Sequence, residues 1–144
     1  MSTLHTTPTT HRLLRLALRA DAAVSLAAGL AMAGLHAPLS AWLGLPATLL
    51  LPAGLVLLPY AAALWWLASR RQPPRGAVWA VIAANGAWAV DCAWVLWGGA
   101  FQPTGLGQAF LGMQALSVLA FADLQFFGLR RSVAPAAGLV PQRG

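Results

Sequence analysis

"RRQPPRG", residues 70–76, separates two long apolar runs. It packs three arginines and a proline pair into seven residues. The runs on either side, about 47–69 and about 77–98, contain no basic residue. At about 1.5 Å of rise per residue, each is long enough to cross a hydrocarbon core about 30 Å thick. A basic, proline-containing turn between two such runs reads as a hairpin of membrane helices with its loop on the cytoplasmic side.

Two further apolar runs flank this hairpin, at about 16–36 and about 107–129. The chain of 144 residues is 59% hydrophobic and only 8% charged. Soluble domains carry about 25% charged residues, so a soluble surface is excluded. The net charge of +6 does not point to nucleic acid, because all nine arginines lie before or in the first turn of the first run, between the second and third, or after the fourth. The other two connections hold no charge. By the positive-inside rule, both termini are cytoplasmic. The expected fold is all-α: a polytopic four-transmembrane-helix bundle over residues 11–130. A mobile polar tail (1–10) and a basic tail (131–144) flank it.

Residues 11–35 begin basic and turn apolar, as a secretory signal does. Arg19 and Asp21 interrupt the apolar stretch and three more spans follow, so a retained first helix is expected. Thr10 is placed to cap it near His11. Pro38 should stop it, and "APLSAWLGLP" (37–46) should form an interfacial turn carrying Trp42. Pro46 suits a first helical position. Pro52 and Pro59 share a face of the second span and should kink it near Pro59. Asp21, Ser25, Gly29, Met32 and His36 form a small-and-polar stripe. Ala80 with Ala84, and Ala83 with Ala87, have the spacing that brings helices close. Six of the seven tryptophans lie toward span ends or in the loop. Trp88 sits at mid-span, where a tryptophan packs or lines a cavity.

The polar residues inside the spans are the candidate sites. A carboxylate at a helix centre costs about 2.5–3.5 kcal/mol on insertion scales, so each needs a reason. Asp21 and Asp123 fall roughly 8 Å to the cytoplasmic side of the midplane. With Arg15 and Arg19 they form an expected inner-leaflet cluster. Asp91 falls roughly 5 Å to the outer side, where no arginine reaches. Its expected partner by depth is Gln114, with Trp88 and Trp94 on its face. Asn85 is level with Tyr60. Asp91, Asn85, Tyr60, Trp88 and Gln114 are thus candidates for a ligand or proton site, or for hydrogen bonds that hold the helices together.

No catalytic or metal-binding motif is present, and no cofactor is expected. The lone Cys92 excludes a disulfide relay within the chain. The only span histidine, His36, lies at an edge, which excludes a haem pair. No lysine is available for retinal. Small multidrug transporters carry a glutamate in their first span and a weak charge bias; here glutamate is absent and the bias is strong. In "ALRADA", "LGLP", "LLPYA", "NGAWAVD" and "GLRR" the chain resembles uncharacterised small four-span bacterial inner-membrane proteins. That resemblance implies a location and no activity. The expectation is a non-enzymatic protein of the bacterial inner membrane acting by helix association, as a subunit, assembly factor or modulator. Its partners would be the lipid bilayer and a membrane protein or a second copy. The alternative is a small transporter, channel or ligand-binding protein using the polar site around Asp91.

Overall fold

The computed structural model describes residues 9–131. The tails expected before and after fall almost entirely outside the described residues. The order of elements is α1 (Thr9–Gly34), α2 (His36–Leu43), α3 (Ala47–Ser69), α4 (Arg75–Trp97) and α5 (Gly105–Arg131). Four of these, all but α2, are long and apolar enough to cross a membrane. Thr10 lies inside the first turn of α1 rather than ahead of it.

Prolines set the helix starts. Pro46 precedes α3 with an extended backbone (φ −65°, ψ 139°), and Pro74 precedes α4 in the same way (φ −59°, ψ 129°). Proline fixes φ and needs no donor, so it sits at such boundaries without loss. Pro46 is therefore the residue before α3, not its first helical position. Pro52 and Pro59 both lie within α3, which stays one helix through them, and both are exposed.

Residues 36–43 differ from expectation. They form the short helix α2 instead of an irregular turn. Pro38 lies in its first turn, where a missing N–H leaves no bond unmade. Gly44 ends it in the left-handed region (φ 65°), which favours glycine, and its N–H donates to Ser40 O at 3.0 Å. Thr104 ties α2 to the start of α5. Its N–H donates to Leu43 O (2.9 Å), its Oγ1 donates to Trp42 O (2.7 Å), and the same Oγ1 accepts from Gly107 N–H (3.1 Å).

The long helices pack as two pairs, α1 on α3 and α4 on α5, joined through α1 and α5. The consecutive helices α3 and α4 are not among the broadly packed pairs. Each long helix presents a seam at alternating steps of three and four residues, the spacing of interlocking helices. On α1 it is Leu14, Leu18, Asp21, Ser25, Ala28 and Met32; on α5 it is Gly107, Leu111, Gln114, Val118, Phe121, Gln125 and Gly128. One apolar cluster, including Leu14, Leu18, Leu64, Leu67, Val78 and Leu129, fills the end that carries the α3–α4 loop. A second, including Met32, Leu43, Leu50, Leu57, Cys92 and Leu111, fills the α2 end.

The α1–α3 contact depends on absent side chains. A Cβ on Gly54 would lie 2.6 Å from Ala33 N and 2.9 Å from Gly29 O. Close backbone approach of this kind is how helices pack tightly where lipid competes for apolar surface. Gly54→Val should therefore destabilise the fold by about 1–3 kcal/mol, as overpacking does. Gly112→Ala, where nothing lies within 4 Å, should be neutral or slightly stabilising. Thermal unfolding of both variants in detergent checks the contrast.

Candidate functional site

Between the two apolar clusters lies a polar layer to which all four long helices contribute. Asp21 of α1 is fully buried at 0% exposure, and so is Gln125 of α5; Asn85 of α4 is 2% exposed. Asn85 Nδ2 donates to Asp21 Oδ2 at 2.8 Å, and Gln125 Nε2 donates to the same oxygen at 2.7 Å. Ser25 Oγ, one turn along α1, donates to Asp21 Oδ1 at 3.2 Å. Tyr60 of α3 donates its hydroxyl to Asn85 Oδ1 at 3.0 Å. A longer bond of 3.4 Å runs from Asn85 Nδ2 to Gln125 Oε1.

The direction of these bonds is uniform: every donor serves Asp21 directly or positions a group that does. Hydrogen bonds to a charged group contribute about 1.5–3 kcal/mol each. Three such bonds offset part of the insertion cost of about 2.5–3.5 kcal/mol for a central carboxylate. The donors that meet Asp21 are all neutral, and no arginine bonds to it.

The expected inner cluster is accordingly corrected. Arg15 does not pair with Asp21; its Nε donates to Ala68 O at 3.0 Å, satisfying a carbonyl in the last turn of α3. Arg19 and Asp123 are both exposed. Asp123 has no hydrogen-bond or ion-pair partner among the described residues. It lies two residues from Gln125, which turns it to another side of α5. Asp21 stands at the centre of α1 (Thr9–Gly34), in one layer with Asn85 and Tyr60.

The expected Asp91–Gln114 pair does not form. Gln114 Oε1 accepts from Trp88 Nε1 at 3.1 Å, and Gln114 Nε2 lies 3.8 Å from Met32 Sδ. Asp91 is exposed on α4 and makes no hydrogen bond or ion pair with any described residue. It borders two cavities. One, of about 290 Å³, opens between α3 and α4 beside Val56, Tyr60, Ala84, Asn85 and Trp88. The other, of about 260 Å³, is lined by Trp88, Trp94, Phe101, Phe110 and Gln114 among others. A third, of about 170 Å³, brings Trp88 and Gln114 to the same wall as Asp21 and Ser25.

The structure therefore brings Tyr60 and Asn85 together and Trp88 and Gln114 together, and leaves Asp91 beside both pairs without a bond to either. Sequence reasoning missed Gln125. The signal was the alternating three- and four-residue spacing of α5, which places Gln125 on the face of Gln114 and leaves Asp123 off it. Ser25 was visible in the α1 stripe but without its role. No group of three or more His, Cys, Asp or Glu residues that could hold a metal occurs among the described residues. No family model matches the chain, and neither a curated protein nor a solved structure does.

Asp21→Leu removes the common acceptor and orphans the Asn85 and Gln125 amides in the core. It should lower stability by about 2 kcal/mol or more. Tyr60→Phe deletes one neutral interhelical bond and should lower it by about 0.6 kcal/mol. Asp21→Leu and Gln125→Leu should be non-additive, since the second removes a donor orphaned by the first. Equilibrium unfolding in mixed micelles measures all of these, and strict additivity would show that the two side chains do not interact.

Proposed function

We propose that this is a small multi-pass membrane protein that works by binding and not by covalent chemistry, with Asp91 as the group that meets the ligand. The observation that carries the reading is the contrast between two acids. Asp21 is saturated by three neutral donors. Asp91, five residues or roughly 7.5 Å beyond the middle of α4, has no partner of its own. An acid left unpaired at that depth is costly, so a partner from outside the chain is the economical explanation. The cavities beside it offer room for a small ligand. The charge bias of the loops supports insertion with both termini cytoplasmic, and the resemblance of the sequence to small four-span proteins is what supports a bacterial inner membrane.

Association with another membrane helix is a second reading, favoured by a specific feature of α4. Ala80, Ala84 and Ala87 are all exposed and lead up to Asp91 on one face. Such a small-residue face admits close helix approach. In that case the partner chain, as subunit, assembled protein or second copy, would supply the group that meets Asp91.

Native mass spectrometry from membrane extracts separates the two. A small-molecule adduct on the wild-type chain that is absent from Asp91→Asn is the expected result. Stoichiometric recovery of a second protein, lost on Ala84→Leu, with no small-molecule adduct on the wild-type chain, would reverse the order of the two readings. A bare monomer in every preparation would count against both.

A further inference from the structure

We infer that the crevice beside Asp91 takes the ammonium group of a lipophilic amine, a monovalent organic cation on an apolar tail that reaches the site sideways between α3 and α4. The inference rests on the binding reading above and names its class of ligand. Charge gives the first constraint. Asp91 is the only acid among the residues lining the two adjoining cavities, and no arginine lines either. The complement of such a site is a single positive charge. One carboxylate without histidine or a second acid is a poor divalent-metal site, and an anion would be repelled.

The walls give the second constraint. Val56, Leu57, Ala84, Ala87 and Val118 make most of the α3–α4 cavity apolar, so the charge must arrive on an apolar body. Trp88 lines both cavities. Its indole N–H is held by Gln114 Oε1 at 3.1 Å, which fixes the ring as a wall beside Asp91. An indole face attracts a cation within about 6 Å by about 0.5–2 kcal/mol, the larger value when desolvated. Volumes of about 260 and 290 Å³ suit a head group and a short chain better than a large polycyclic body. Access is the third constraint. Because α3 and α4 are not broadly packed, the crevice opens between them. Val56, which lines it, and Leu55 and Val90, each next in sequence to a lining residue, are apolar and exposed, which suits a molecule already dissolved in lipid.

The test uses the full chain in phosphatidylcholine nanodiscs with tritiated decyltrimethylammonium as probe, and decylamine, decanol and decanoate as competitors. The expected result is saturable binding above that of empty nanodiscs, displaced by decylamine and not by decanol or decanoate. Asp91→Asn should weaken it about tenfold or more, equivalent to about 1.4 kcal/mol. Asp123→Asn, the other exposed acid, should leave it unchanged. Unaltered thermal unfolding of Asp91→Asn shows that the fold is intact, as expected for an isosteric change at an exposed position. Equal binding by Asp91→Asn, or equal displacement by decanol, would overturn the inference, since either means simple apolar partition. If no alkyl cation binds saturably while the native-membrane adduct still requires Asp91, the ligand class is wrong and the binding reading stands. If that adduct is also absent, both fall.

Discussion

The fold turns on one carboxylate with no cation beside it. Asp21 sits at the centre of α1 with 0% exposure, and its oxygens are met by side chains from its own helix, α4 and α5. Tyr60 of α3 joins through Asn85. Where lipid solvates helices there is no apolar driving force to choose one partner over another, and close packing and interhelical hydrogen bonds select the arrangement. A layer in which one acceptor collects donors from several helices fixes register as well as proximity. A slip of one residue on α4 or α5 would carry Asn85 or Gln125 away from Asp21 and break that donor's bond. The apolar clusters on either side then fill in around that layer.

Arginines bind this bundle at its rim instead of its centre. Arg15 satisfies the Ala68 carbonyl at the end of α3. Arg70 lies over the Trp66 ring at 4.1 Å, and Arg130 over the Phe126 ring at 5.3 Å. Each keeps its charge near a helix end and sets its flat guanidinium against an aromatic or carbonyl group, a geometry that lysine would not reproduce. The charged cluster expected from depth thus resolves into two separate devices: neutral donors around the central acid and arginines capping the ends.

The long helices were legible because hydropathy and charge bias depend only on composition over windows longer than twenty residues. Their ends were less so. Pro38 has the chemistry of a helix stop and equally that of a first helical turn, and only the left-handed Gly44 and the Thr104 bonds decide for α2. The polar layer was half legible. Asn85 and Tyr60 could be matched by depth, since both lie close to the middle of well-bounded runs. Gln125 was hidden by its neighbour: ranking polar residues by charge draws the eye to Asp123, whereas helical register selects Gln125. The same register removes Asp91 from the α4 seam, which runs through Val78, Asn85, Cys92 and Val95, and turns it toward the crevice. Two acids that look alike in composition therefore differ in kind, one holding the helices together and one left open.

The chain offers an unusually clean way to test its centre, because Asn85 is its only asparagine and it has just three aspartates. Magic-angle-spinning NMR on protein in lipid bilayers, with ¹³C-labelled aspartate carboxyls and ¹⁵N-labelled asparagine side-chain amide, measures the contact without further assignment. One short coupling is expected, from the nitrogen that lies 2.8 Å from Asp21 Oδ2, present in wild type and Asp91→Ala and absent in Asp21→Leu. No coupling in wild type, or a coupling that survives Asp21→Leu and disappears in Asp91→Ala, would contradict that contact.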